Sequence, residues 1–387
     1  MLEQEAMAVL VSAQGVGYAG RERVLRAAGS ALAVLEEPEA YADLLGAKGV
    51  SAVRMALEKG AQMLDQIARD NVHLIMRGMP EYPRLLEYTA RPPHLLFCLG
   101  QANLVDSFPM AIVGTRKASR YGAEQTRKIA RELAQEGVCI VSGLALGVDA
   151  CAHAGALDAR GRTIAVLGGA LDRFYPMENW NLMRQIVDNG GSIVSEYAPG
   201  VGPNRYSFLE RNRIIAGMSL GTLVTEGPLR SGAMQTASCA LEEGREVFAI
   251  PGDIDRENAA MPNLLIAEGA HLVTCAQDIL RQLVVEPDAA AMRAAAVQAA
   301  GKKKRRTERR AKPETEHAAV QKAAAPDLQE RDGLEHAICS VLKEGEADFD
   351  ALSERIGAGS DELGAALMML ELDGVIEALP GCRYRLA

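Results

Sequence analysis

From about Met110 onward, short apolar runs alternate with longer amphipathic ones, and this rhythm carries most of the structural information in the chain. Strands are expected at 110–113, 138–142, 163–167, 192–195, 222–225, 246–250 and 271–274, where Val, Ile, Leu and Ala run nearly unbroken. Helices are expected between them at 121–136, 149–159, 178–189, 231–243 and 262–268, where apolar residues recur at helical spacing. Continuously apolar strands separated by helices indicate a mostly parallel sheet covered on both faces. Crossovers are then right-handed, and ligands are expected at the carboxyl ends of the strands. The rhythm differs at the two ends. Residues 2–11, 21–28, 30–35, 38–45 and 50–69 read as short helices, with Gly15-Val16-Gly17 as a tight turn between the first two. That turn either packs a small helical module or offers backbone N–H groups to a phosphate, as in a helix-hairpin-helix. Residues 334–343, 349–356 and 361–373 read as helices, followed by strand-like 375–378 and 383–386 about Pro380-Gly381, the pattern of a winged helix. Between these regions the chain turns alanine-rich and polar and carries Lys302-Lys303-Lys304-Arg305-Arg306 and Arg309-Arg310, a self-repelling block that reads as a flexible linker.

The expected fold class is α/β: an extended Rossmann-like, doubly wound, mostly parallel sheet at 76–286. A helical module at 1–75, a basic linker at 287–331 and a winged-helix domain at 332–387 complete the expected organisation. A length of 387 residues suits two or three such domains. The net charge of -9 argues against a uniformly basic nucleic-acid coat, yet leaves room for a local basic groove. Aromatic content of 4% argues against base stacking on many rings as the main binding mode. The seven cysteines are scattered and include no Cys-x-x-Cys pair, so neither a zinc site nor a disulfide frame is expected. Free cysteines within apolar runs fit a reducing cytoplasm. The acidic opening Met-Leu-Glu-Gln-Glu is unlike a signal peptide, and no apolar stretch is long enough to span a bilayer, so no membrane association is expected.

The chemistry-bearing residues fall in the turns after the strands. Gly114-Thr115-Arg116 follows the first strand, and loop N–H groups, a hydroxyl and a guanidinium together would hold a phosphate. Ser142, Gly143 and Gly147 permit a similar tight loop after the second strand, with Asp149 expected to cap the following helix rather than act as a base. His153 lies one turn beyond Asp149, where it is expected to be structural or to touch DNA. Gly168-Gly169 and Ser231-Gly232 are expected at the same rim. The segment from Phe208 to Ser219 places Arg211, Asn212 and Arg213 just before an apolar run, and such arginines are costly to bury without an anion. Glu196 and Glu226 end two different strands, and structural pairing with nearby arginines outweighs acid–base work for both. Neither Gly-x-G-x-x-Gly nor Gly-x-x-x-x-Gly-Lys-Ser/Thr is present, so no nucleotide cofactor is expected. The groove is read as a site for single-stranded DNA, with a nucleotide-processing hydrolase resembling the phosphoribohydrolases, built on Glu226 and Arg213, as the alternative.

Taken in order, these motifs resemble the DNA-processing protein A (DprA/Smf) family. The resemblance rests on Gly114-Thr115-Arg116, Ser142-Gly143-Leu144-Ala145 with Gly147 and Asp149, Tyr175-Pro176 with Asn179, and Ser195-Glu196. Arg211-Asn212-Arg213 with Ile214-Ile215-Ala216-Gly217, Arg230-Ser231-Gly232-Ala233 and Pro251-Gly252 complete it. It implies an extended Rossmann fold that binds single-stranded DNA, dimerises, and loads the RecA recombinase during natural transformation, without catalysis. Three departures stand out. Met177 occupies a position where the family often has lysine, Leu209-Glu210 replaces a usual proline, and a Ser-x-Gly-x-Asn pattern is reduced to Ala259, Met261 and Asn263. Arg205 is expected to compensate for the missing lysine. Acidic Asp361, Glu362, Glu371 and Asp373 make the third winged-helix helix a poor reader of a major groove.

Overall fold

The computed structural model describes residues 1–105, 108–283 and 333–386, the last with gaps at 344, 358–362, 365, 368–369, 371–374 and 380–382. The expected linker at 287–331, its basic block and the Pro380-Gly381 turn lie outside the described residues. Chain contacts separate two compact units, Met1–Lys303 and Lys304–Ala387.

The first unit opens with helices α1 (Glu3–Ser12), α2 (Tyr18–Ala28), α3 (Ala31–Glu36) and α4 (Ala42–Arg69). The helix expected at 38–45 is instead a 3-10 turn, Pro38–Tyr41, running into α4. Gly46, at φ 68°, bends α4 near its start, a conformation that favours glycine. Then follow β1 (His73–Met76), α5 (Arg84–Glu87), β2 (Leu95–Gly100) and β3 (Pro109–Val113). The alternating part continues with α6 (Arg120–Gln135), β4 (Cys139–Ser142), α7 (Val148–Asp158), β5 (Thr163–Leu167), α8 (Trp180–Asp188) and β6 (Ser192–Ser195). It closes with α9 (Arg205–Gly217), β7 (Gly221–Val224), α10 (Gly232–Glu242), β8 (Glu246–Ala249), α11 (Ala260–Ala267), β9 (His271–Leu272) and α12 (Ala276–Gln282).

The sheet runs β1-β2-β6-β5-β4-β3-β7-β8-β9. From β6 to β9 all pairings are parallel, while β1, β2 and β6 pair antiparallel. Strands β3, β4 and β5 are buried along their whole length, as their unbroken apolar sequences predict. Residues on the two sheet faces enter separate apolar clusters: Val113, Val141 and Val166 pack with α9 and α10, and Ile112 and Ile140 with α6 and α7. Strands β1 and β2, which the alternation did not predict, carry the helical module. Val9, Leu10, Val53 and Ile67 share one cluster with Leu95 and Phe97 of β2.

The second unit contains α13 (Gly333–Lys343), β10 (Ala347–Asp348), α14 (Phe349–Ile356), β11 (Ile376–Leu379) and β12 (Arg383–Leu386). Its strands form an antiparallel sheet in the order β10-β12-β11, with Ile376 opposite Leu386. Of the helix expected at 361–373, the described residues Leu363, Leu367 and Leu370 are helical and buried at helical spacing. This is the winged-helix arrangement.

Candidate nucleic-acid interface

In an open α/β sheet the ligand crevice lies where the strand order reverses, here between β3 and β7. In this chain that crevice is closed by the protein itself. The Thr115 N–H donates to the Glu226 carbonyl at 2.7 Å. The Glu226 carboxylate accepts from the Ser119 N–H at 2.8 Å and from its hydroxyl at 2.6 Å. Ser119 in turn caps α6 through Gly122 N–H. A Cβ at Gly122 would overlap the Glu226 carboxylate, and one at Gly114 would crowd Val148 and the Glu226 carbonyl. Glu226 is thus a buried staple between two strand ends, paired with a serine instead of the expected arginine.

The loop after β4 is held from below. Ser142 is buried and donates its hydroxyl to the Ile112 carbonyl at 2.6 Å. Asp149 does not cap α7, whose N-cap is Gly147. Its carboxylate turns back to accept from the N–H groups of Gly143 at 3.1 Å and Ala145 at 3.4 Å. Those amides, expected to face a phosphate, are therefore consumed. Burial raises the Asp149 carboxyl above its usual range, with the Arg211 guanidinium and these amides opposing the shift. Gly147, at φ 77°, lies against the backbone of Thr115 and Arg116, so the two loops are zipped together. Asn179 adds bonds from its side-chain amide to the carbonyls of Leu144 at 2.9 Å and Ala145 at 3.1 Å.

Arg211 and Arg213 sit on α9 two positions apart, hence about 200° apart around the helix. Arg211 is 5% exposed, and its guanidinium donates to the Gly143 carbonyl at 2.7 Å and to the Val166 carbonyl. Desolvation pulls its pKa down to about 10, so it stays charged at neutral pH. Arg213 points the other way, into an ion pair with Glu196 and a second, at 3.6 Å, with Glu210. These carboxylates outweigh the cost of burial and hold Arg213 firmly protonated. Asn212 is also buried and donates to the Gly232 carbonyl at 3.0 Å. All three are expected from the sequence at the rim, as DNA contacts. The structure turns them inward instead: Arg211 and Asn212 donate to backbone carbonyls, and Arg213 pairs with Glu196 and Glu210. Gly168 and Gly169 are likewise buried: Phe208 packs on the first, Pro203 on the second, and Ser207 donates its hydroxyl to the Gly168 carbonyl.

His153 is fully buried, with Nδ1 at 2.7 Å from the Thr163 hydroxyl oxygen. That hydroxyl already donates to the Ile140 carbonyl at 2.7 Å, so His153 is the donor through Nδ1–H. Desolvation pushes its pKa down to about 3, and it is structural, neither paired with Asp149 nor at the surface.

What remains at the surface is a smaller constellation. Arg116 is exposed and lies over the Phe208 ring at 5.1 Å. Tyr175, 52% exposed, is 5.9 Å from the same ring. Together with Gly143, Ala145, Leu146 and Pro176 they line one shallow cleft. Trp180, exposed and edge-on to Phe174, and Met177 stand on the adjoining turn. Arg205 and Gly232 are exposed at the first turns of α9 and α10, while Ser231 lies partly buried against Met261. The rings were missed as surface groups because only 4% of the chain is aromatic; Tyr175-Pro176 following a glycine-rich turn was the available signal. Among the described residues no group of three or more His, Cys, Asp or Glu could hold a metal ion, and no helix is long and apolar enough to cross a membrane.

Comparison with known proteins agrees with this architecture. The family model described as DNA recombination-mediator protein A matches residues 73–284, over half of the chain. The chain belongs to this DprA/Smf family. The model described as DprA winged helix domain matches residues 322–382. The chain is 37% identical over 341 residues to Protein Smf of Escherichia coli, covering 87% of this chain and 83% of that protein. It is 45% identical over 201 residues to DNA processing protein DprA of Streptococcus pneumoniae, covering 52% and 71% respectively. The crystal structure of the pneumococcal protein superposes with a TM-score of 0.63 at 34% identity, over 74% of this chain and 99% of that one. DNA processing protein A from Helicobacter pylori, whose structure was determined for its single-stranded DNA binding mode, gives a TM-score of 0.50 at 32% identity, over 56% and 97%.

Proposed function

We propose that this chain binds single-stranded DNA by its sugar–phosphate backbone along the carboxyl-end rim of the sheet, protects incoming DNA, and loads RecA onto it during natural transformation. The observation that carries the reading is the exposed Arg116 guanidinium over Phe208, at the mouth of a cleft shared with Tyr175 and the Gly143 loop. A guanidinium fork suits a phosphate, and the neighbouring rings suit unstacked bases. Arg116 is the first phosphate ligand, with Thr115, Gly147, Arg205, Ser231 and Gly232 as further rim contacts. Ser142, Gly143, Gly168, Gly169, Arg211, Asn212 and Arg213 support the rim from inside. The Helicobacter pylori relative is described as binding single strands, which favours the same ligand here. The protein acts in the cytoplasm as a homodimer and without catalysis. The hydrolase alternative has less support, since Glu226 is engaged by Ser119 and Arg213 by Glu196.

Titration of a labelled oligothymidylate with wild type and Arg116→Ala tests the reading. Loss of Arg116 should weaken binding and lower the slope of log K against log salt by roughly 0.7. Unchanged affinity and slope would remove Arg116 from the groove. A gel shift of single against double strands, with and without RecA, tests the preference and the hand-over, and release of free base from nucleoside monophosphates would favour the hydrolase.

A further inference from the structure

The polar residues the groove does not use form a continuous chain across the first unit. It starts on α2, where Tyr18 lies 4.8 Å from the His94 ring and under the Arg91 guanidinium at 5.4 Å. Glu22, one turn on, holds His94 at 2.9 Å and Arg77 at 3.8 Å. Arg91 reaches Glu210 at 3.4 Å, and its carbonyl accepts from Arg213 at 2.6 Å. Arg213 binds Glu196 and Glu210. From there α9 is a rigid link: its opposite face carries Arg211, which holds the Gly143 carbonyl. The Gly143 loop is in turn fixed to the helix bearing Trp180 by Asn179 and to Arg116 by Gly147. A helix gripped on both faces transmits a change of seating, because packed side chains leave it few alternative positions.

We propose that the N-terminal helices set the geometry of the DNA groove through this relay, with Tyr18 and Arg91 as positioning residues that touch no DNA. The proposal rests on the single-strand-binding reading above. It makes the helical module a determinant of affinity while its Gly15-Val16-Gly17 turn contacts no phosphate. The relay also gives Arg213 a role that surface exposure cannot: it is the junction at which α9 is locked to the segment following α5.

Trp180 supplies the readout, because it is the only tryptophan in the chain and is exposed at the start of the helix that Asn179 ties to the Gly143 loop. Tyr18→Ala, Tyr18→Phe, Arg91→Gln and Arg116→Ala are compared for oligothymidylate affinity and for iodide quenching of Trp180, well below the melting temperature. Tyr18→Ala and Arg91→Gln should each weaken binding roughly two- to tenfold, with an unchanged salt slope and altered quenching of Trp180. Tyr18→Phe should restore both, since it keeps the ring on which Arg91 rests. A merely structural role would lower the melting temperature and leave affinity and quenching at wild-type values. If Tyr18→Ala does not fold, Arg91→Gln decides. Wild-type affinity and quenching in the folded relay variants, with Arg116→Ala weakened, overturn the relay alone; an unaffected Arg116→Ala overturns the groove reading.

Discussion

Replacing Gly143 by alanine is the sharpest perturbation the site offers. Gly143 needs no unusual backbone angle, and the constraint is the buried cation beneath it. A Cβ there would overlap the Cζ and both Nη atoms of Arg211. The guanidinium is the far end of a flexible side chain, but it has nowhere inexpensive to go. It is 5% exposed and bonded to the carbonyls of Gly143 and Val166, with Asp149 alongside. Displacing it breaks two charged hydrogen bonds, each worth roughly 1.5–3 kcal/mol, and leaves a charge in the interior without its partners. A total cost of about 3–5 kcal/mol follows, in line with breaking one side of a buried ion pair. Urea unfolding of the two single variants Gly143→Ala and Arg211→Met, and of the double, measures it. If the clash is the cause, the double variant is no less stable than Arg211→Met alone, and the cycle returns a coupling of about 2 kcal/mol or more. A Gly143→Ala protein within about 0.5 kcal/mol of wild type, or additive costs in the double, would refute the argument.

Other consequences can be checked separately. Met177→Lys puts a cation on an exposed position beside Tyr175 and should tighten oligothymidylate binding, steepening the salt slope by roughly 0.7; an unchanged slope would place Met177 outside the DNA path. Glu226→Ala leaves the Ser119 N–H and hydroxyl without their acceptor and should cost about 2–4 kcal/mol in urea unfolding, with Glu226→Gln recovering part of it. His153 and His94 are both buried, and desolvation pushes them down to about 3 and about 4. The unfolded chain protonates them below their ordinary value of about 6.5. Their contribution is therefore complete above pH 6.5 and lost as pH falls towards 4, by up to roughly 1.4 kcal/mol per unit for each. Urea midpoints that fail to drop between pH 7 and pH 5 would contradict these environments.

The sequence was most legible where burial is symmetrical. Strands β5 and β6 were expected at the residues they occupy, because a strand covered on both faces leaves an uninterrupted apolar run. Strand β1 was missed for the opposite reason, whereas β2 is as buried and apolar over Leu95–Cys98 as the strands that were expected, and its run went unassigned. Strand β1 is four residues long, starts with an exposed His73, and sits at the sheet edge. The helix bearing Arg211 and Arg213 shows in the sequence as a motif but not as an element. Ser207, Glu210, Arg211, Asn212, Ile214 and Ile215 are all buried, so polar and apolar residues alike face protein and the helical periodicity is erased. That omission led directly to the misplacement of the two arginines. Once 205–217 is a helix, residues two apart must diverge, and only one could have faced the rim. The groove loops were found because glycine marks close approach. The partner in that approach, however, is Arg211 at Gly143 and Phe208 at Gly168, not a ligand.

A buried Arg211 still bears on the binding of a polyanion. Its charge lies under the loop that carries Leu146 and next to the one that carries Arg116, close enough that the Arg116 guanidinium disfavours the charge on Arg211. Asp149, alongside, favours the Arg211 charge. A buried guanidinium beneath the cleft contributes to the local field without a surface side chain, and a charge held in the interior is screened by salt less than an exposed one. Such a local contribution is compatible with the net charge of -9. It also separates two kinds of loss. Removing Arg116 should delete a contact and reduce the salt slope, whereas neutralising Arg211 should lower affinity by a similar factor at every salt concentration, because a buried charge releases no counterion on binding.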